Sequence, residues 1–372
     1  MRWLVMVALL LLVQTAVAQR LYPVEKKRKW GYMNEDGKMV IDFKYDLAQN
    51  FNKGYAMVAL NRMPCLINAQ EKRIIDTGLY QFIGTYNEGL VPVMDYKFKR
   101  YYVDTNGKLV ITLSADIYDA GTFYRGVARV SKKVIETQQR FGTDISNLTY
   151  KFAYINKKGE PLTAFDFDDC DDLNNYPARY MKGERFGLID SNGKIITEPI
   201  FDNISEFSDG LAVVAINGKF GFINQQGVQV IKPIYDFARM FSNGLAAVEV
   251  NNKVGFINTK GEVVIPPTYD AVKPFGDNRC AVSMQGKWGF IDNKGTLIYN
   301  YQFEDAGVFN NGICPIKRNK RWGAIDFTGR IVVPFEFDFV GNFDNGIADV
   351  ILNGVNLYVN AKGELLPKLN ER

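Results

Sequence analysis

Histidine is absent from all 372 residues. The side chain that most often serves as a general base, activates a serine or cysteine, and binds zinc is therefore missing. Any catalysis would rest on carboxylates. Beyond the N-terminus no apolar run is long enough to cross a membrane. Net charge is also small: 45 Lys and Arg against 41 Asp and Glu leave +4, and removing Arg2 with a leader leaves +3. A balance this even gives no footprint for nucleic acid or an anionic membrane surface. The one basic run, Lys26, Lys27, Arg28 and Lys29, reads as a solvated edge. No segment sustains a helical period. What the chain has is 47% hydrophobic residues, ample for a large core.

Residues 1–18 read as a secretory signal peptide. Arg2 supplies the positive start, Leu4 to Val13 the apolar stretch, and Ala16-Val17-Ala18 the small-residue cleavage site. The mature chain is expected to begin at Gln19. The residue directly after the cleavage point is Gln19 and not cysteine, which argues against a lipid anchor. The expected location is outside the cytoplasm: periplasm, cell surface or secreted.

A repeat dominates the rest. Gly187, Gly221, Gly255, Gly289 and Gly323 follow one another at intervals of 34 with matching flanks. The same register reaches back to Ala153, Tyr101, Cys65 and Gly31, and forward to Leu357. Ten units of about 34 residues thus fill residues 19–372. From Tyr101 to Ala153 the interval is 52, so one unit carries an insertion, placed at about 131–148.

The clearest copies are Lys287-Trp288-Gly289-Phe290-Ile291-Asp292 and Arg321-Trp322-Gly323-Ala324-Ile325-Asp326, followed by Lys29-Trp30-Gly31-Tyr32. On these residues the chain resembles the WG-repeat (KWG-repeat) family of bacterial proteins. That resemblance implies a repeat scaffold and no defined reaction.

Each unit reads as a three-stranded meander. A first strand such as Gly244–Val250 meets the motif strand Lys253–Asn258 across two turn residues, Asn217-Gly218, Asn251-Asn252, Gln285-Gly286 or Asn353-Gly354 in different copies. A turn opened by Asx and closed by Gly leads to a third strand such as Glu262–Ile265. The opening position holds Asn34, Asn68, Asp104, Asn156, Asp190, Asn224, Asn258, Asp292, Asp326 and Asn360; only Glu71 replaces the closing Gly. Proline at 199, 233, 266 and 334 is expected to stop the third strand. An aromatic-acid pair and then a Phe complete the unit. The strands are apolar on both faces, which predicts burial between neighbouring units. The expected fold is all-β, an open solenoid or superhelix of stacked units. The alternative is a β-propeller, disfavoured because its blades have four strands and usually number four to eight.

Four groups of residues could carry chemistry. The Asx series could bind calcium, but six of its ten members are neutral Asn, and turn formation needs only their hydrogen bonds. The acids after the aromatic, Asp46, Asp168, Asp202, Asp236, Asp270, Glu304 and Asp338, recur in phase; repetition argues for capping turns rather than for a catalytic pair. Asp166, Asp168, Asp169, Asp171 and Asp172 form an acidic cluster without the spacing of a calcium loop. Cys65, Cys170, Cys280 and Cys314 occupy small or apolar positions and read as buried thiols. Cys280 and Cys314, in the same register, could instead form a disulfide in an oxidising compartment. No catalytic residue, metal site or cofactor site is assigned.

The reading that follows is an exported, non-catalytic scaffold that binds protein at the envelope or outside the cell. The insertion at 131–148 is the unrepeated surface, expected to lengthen a hairpin. A glycan-binding accessory module is the alternative, and a carboxylate-based glycosidase a more distant one. Nucleic acid and a membrane span are not expected.

Overall fold

The computed structural model describes residues 20–140, 143–174 and 176–366. The expected signal peptide lies outside them. The fold is all-β, with no helix and no sheet closed into a barrel among the described residues. Two compact units divide the chain: Met1–Glu184 with Leu188–Ile195, and Arg185–Gly187 with Ile196–Arg372. Ten small antiparallel sheets run in chain order. Four are complete within the first unit and five within the second; the chain passes between units in the remaining one.

Eight of the ten sheets have four strands and two have three. The expected three are present, and a short strand precedes them. In one sheet of the second unit the order is Phe237–Ala238, Leu245–Val250, Lys253–Asn258 and Val263–Tyr269. Two residues were too few to show in the hydrophobic pattern. The strand count that set the array apart from a propeller therefore falls away.

The turns follow their chemistry. Asn251 and Asn252 both adopt positive φ, at 51° and 60°, as do Lys27 and Arg28 in the basic run, at 50° and 61°. Positive φ at both central residues is the type I′ hairpin turn. All ten Asx residues accept the backbone N–H four positions on through Oδ1, at 2.8–3.1 Å. Glu71 takes the closing position with φ 62° where the others have Gly.

Burial on both faces of the motif strand links neighbouring sheets. Ile257 packs with Phe222, Ile231 and Phe241, toward the preceding sheet. Its neighbour Phe256 packs with Ile265, Tyr269, Cys280 and Ile291, toward the following one. Alternation along a strand sends successive side chains to opposite faces, so one strand serves two cores. A link Phe closes several of the junctions. Phe241 lies 4.7 Å from Phe222 and Phe275 lies 5.0 Å from Phe256, ring centre to ring centre. In the first unit Phe51 meets Tyr32 and Phe123 meets Tyr102 in the same way, each at 4.7 Å. This is the nearest-neighbour stacking of a repeat array.

The motif glycine has a definite steric cause. Opposite it the third strand bulges, so that two steps on the motif strand match four on its partner: Phe220 pairs with Tyr235 and Phe222 with Ile231. The bulge lays backbone over the glycine. A Cβ at Gly221 would sit 2.5 Å from the Ile231 carbonyl oxygen and 2.6 Å from Pro233 N. Proline thus lies inside the third strand, not at its end as the sequence suggested: Gln229–Tyr235 runs through Pro233. That strand is a sheet edge, where proline is tolerated and blunts pairing with other chains. Units with Gly31, Gly187, Gly221, Gly255, Gly289 and Gly323 all have third strands of 7 residues. Where Cys65 or Tyr101 replaces glycine, the third strand shrinks to 3 or 4 residues, and the wide bulge is gone.

Candidate functional site

The recurring acids are clips between consecutive sheets. Asp236 accepts the Asn251 N–H in the next hairpin turn at 2.8 Å, and Lys219 of the preceding motif strand bonds its other oxygen at 2.6 Å. Asp46 bridges Arg62 N–H and Lys29 in the same way, Asp168 bridges Gly183 N–H and Lys151, and Asp270 bridges Gln285 N–H and Lys253. Asp202 and Asp338 repeat the pattern with Arg185 and Arg321. Glu304 keeps the turn contact, to Lys320 N–H. This explains the basic residue that opens the motif.

The Lys219 bond, then the Asn251 N–H, hold the Asp236 carboxyl below its ordinary value of 3.8. A carboxylate depressed by folding stabilises the fold above its unfolded value and loses that contribution as pH falls through the folded one. Asp236→Asn is therefore expected to lower the melting temperature at neutral pH. The gap to wild type should narrow as pH drops from about 5 toward about 2. A gap of constant size across that range would refute the clip.

The acidic cluster is consumed by ion pairs. Asp166 meets Lys182, Asp168 meets Lys151, and Asp171 meets Arg179, each at 2.6 Å. Arg129 approaches Asp169 at 3.9 Å and Asp172 at 3.5 Å. No group of three or more Cys, Asp or Glu arranged to hold a metal occurs among the described residues. All four cysteines are free and buried. Cys280 and Cys314 sit in different cores, one with Tyr269 and Ile291, the other with Phe290 and Phe309. The possible disulfide between them is thus not formed. Burial pushes the Cys170 and Cys280 thiols up to about 12, which leaves them protonated and unreactive at neutral pH.

The unrepeated hairpin remains. Val127–Arg140 and Thr143–Asn156 pair without a break over 14 positions. The first six, Val127↔Asn156 to Lys132↔Lys151, match the six of an ordinary unit. The added rungs therefore start at Lys133↔Tyr150, two residues later than the sequence placed them. Ser131 shows why: it is buried in the repeat core. Above that level apolar groups face solvent. Ile135 is 70% exposed, and its cross-strand partner Leu148 is 56% exposed. Two rungs below, Tyr150 packs against Tyr118 of the strand Ile117–Ala120, ring centres 4.7 Å apart. Lys133 lies 4.5 Å from the Tyr118 ring centre, and Arg100 lies 5.7 Å from it. Arg100 also donates to the Tyr118 carbonyl oxygen. Neither cation meets a carboxylate among the described residues, whereas Lys132, Lys151 and Arg129 all do. Sequence reasoning found the hairpin but missed Arg100, Tyr118 and Tyr150. Their nearest signal was an aromatic at the foot of the insertion, and only pairing brings Tyr118 to it.

A sequence model described as WG containing repeat matches residues 30–62, 186–220, 220–253, 255–288, 288–322 and 322–355, more than half of the chain. The chain belongs to the WG-repeat family. No curated protein matches it. Among solved structures, this WG-repeat chain is similar to BamB from Moraxella catarrhalis, at 9% identity and TM-score 0.31, covering 70% of this chain and 92% of that one. It is also similar to the extracellular domain of the putative hybrid two component system BT3049 from B. thetaiotaomicron, at 9% identity and TM-score 0.30, covering 95% and 63%. A third is PorZ of Porphyromonas gingivalis, described as a surface component of the type-IX secretion system, at 11% identity and TM-score 0.27, covering 90% and 56%.

Proposed function

We propose that this WG-repeat protein is an exported, non-catalytic scaffold that binds a protein partner at the cell envelope or outside the cell through its extended hairpin. One contrast carries the reading. The polar residues that recur are engaged in turns, clips and ion pairs within the array. The hairpin above Lys133↔Tyr150 exposes apolar side chains that no repeat contact explains. Ile135 and Leu148 form a cross-strand apolar pair between polar neighbours, and the reading places the partner there.

The test replaces Lys133–Tyr150 with an Asn-Gly turn, which restores the six-rung hairpin of the other units. The protein is purified from the exported fraction, and its N-terminus is read by mass spectrometry; Gln19 is the expected first residue. The variant should melt within a few degrees of wild type and lose capture of the native partner. Full capture by a folded variant would move the site to the repeat surface. Retention of Met1 in the exported fraction would remove the export reading.

One observation favours a second reading. The Tyr118–Tyr150 pair beside Arg100 and Lys133 is also the composition of a platform for a carboxylated sugar. A glycosidase reading has less behind it, because the repeated acids are held in clips rather than paired in a cleft.

A further inference from the structure

We propose that the outer edge of the strand Val127–Arg140, from Lys133 to Thr137, takes up an extended acidic segment of a protein partner as an added β-strand. This rests on the scaffold reading and names its partner class.

The free edge comes from a mismatch in length. In its own sheet Val127–Arg140 is flanked on one side by Thr143–Asn156 and on the other by Ile117–Ala120. The short strand reaches only as far as Ile117↔Lys132. Above that rung no described residue pairs with the outer edge. The direction of its backbone groups can be followed rung by rung. The Arg129 carbonyl accepts from Gly121 N–H, on the outer side. Pairing with the inner strand is unbroken, so alternate residues onward from Arg129 keep that orientation. Lys133, Ile135 and Thr137 therefore present N–H and C=O outward, in line with the end of Ile117–Ala120. That is the template for strand addition.

Some of the other sheet edges are blunted by proline. Third strands carry Pro233, Pro266 with Pro267, and Pro334. The stretch Lys133–Thr137 has no proline, contains the exposed Ile135 and lies beside the exposed Leu148. A strand edge with unpaired N–H and C=O groups and no proline is a template for pairing with another chain.

Charge selects the occupant. An added strand would run past the Tyr118 ring, where Lys133 and Arg100 lie without carboxylate partners while neighbouring cations are paired. Lys133 and Ile135 share one face of the hairpin with Tyr150 and Leu148, so a segment with Asp or Glu at one position and an apolar residue two positions on would place the acid toward these cations and the apolar group against Ile135 and Leu148. The period of two along a strand makes both contacts possible at once for residues two apart.

The experiment uses the full mature chain and a pool of short synthetic peptides with Glu or Asp two positions from Val or Ile. A matching pool with Lys in place of the acids and a polygalacturonate oligosaccharide serve as comparisons. Affinity is read by fluorescence anisotropy, and amide exchange by NMR. The acidic pool should bind at least tenfold more tightly than the basic pool. Amides of Lys133, Ile135 and Thr137 should gain protection, while those of Lys132, Val134 and Glu136, already paired, should not change. Ile135→Pro removes an outward N–H at an edge that tolerates proline, and should weaken binding at least tenfold. Lys133→Glu should do the same without touching the backbone, so the proposal stays testable if the proline variant fails to fold. Failure of the acidic pool to bind, or binding without protection of those three amides, overturns the proposal. Binding of polygalacturonate alone overturns it in favour of the sugar platform. If Ile135→Pro keeps full capture of the native partner while the hairpin replacement loses it, the edge is refuted and the scaffold reading stands.

Discussion

Gly255→Val is expected to destabilise the second unit by about 3 kcal/mol or more, measured by reversible denaturation of the purified protein. Gly255 needs no special φ, so the cost is steric. A Cβ there would lie 2.4 Å from the Ile265 carbonyl oxygen, 2.5 Å from Pro267 N and 2.7 Å from Pro266 C. All three are backbone atoms of the bulge and cannot turn away as a flexible side chain would. Relief requires opening the bulge, which separates Val254 from Tyr269 and disturbs the core that Tyr269 shares with Phe256 and Cys280. Gly289→Val should behave alike, with the Tyr299 carbonyl oxygen 2.5 Å from the new carbon. The comparison that isolates the cause is Cys65→Val, where no wide bulge covers the position. Its loss should be clearly smaller. Equal losses at Gly255 and Cys65 would mean that the bulge is not the reason for the glycine.

Phe241→Ala is expected to cost about 3 to 5 kcal/mol, the range for a buried aromatic truncated in a core that cannot collapse. Phe241 is 1% exposed and meets Phe222 at 4.7 Å. It belongs to a link rather than a strand, so the loss falls on the junction between two sheets and not on either sheet's hydrogen bonds. The same core contains Leu211 and Ile231 of one sheet and Ala246 and Ile257 of the next. Nearest-neighbour coupling of this kind should lower cooperativity as well as the midpoint. A shallower unfolding transition for Phe241→Ala, with hairpin amides still protected, is the signature. A loss below about 1 kcal/mol would show that the link ring is not part of the junction.

These two positions mark where sequence reading succeeded and where it stopped. The period, the ten units, the tight hairpin turns and the Asx turns were legible because each depends on residues a few positions apart. Asn and Gly at a hairpin carry their backbone preference with them, and an Asx side chain bonds an amide four residues away. The recurring acids were read as turn caps for the same reason, since phase alone implies a shared role. The buried cysteines followed from register with alanine.

The bulge, the fourth strand, the start of the added rungs and the surface of the hairpin were not legible. Pro233 reads as a strand breaker when seen alone. It lies inside a strand because it falls in the bulge of an edge strand, between the paired Ile231 and Tyr235, where no ladder N–H is required of it. The strand Phe237–Ala238 has two residues, too few to show a period. Lys219 and Asp236 are 17 residues apart and Tyr118 and Tyr150 are 32 apart; neither pairing leaves a local trace. The sequence by itself determined the repeat, its turns and its apolar strands, because backbone propensity and alternation act over short distances. Tertiary structure alone decided which acid clips which lysine, why the motif glycine cannot be larger, and which edge of the hairpin is left open, because each depends on how strands distant in the chain are laid side by side.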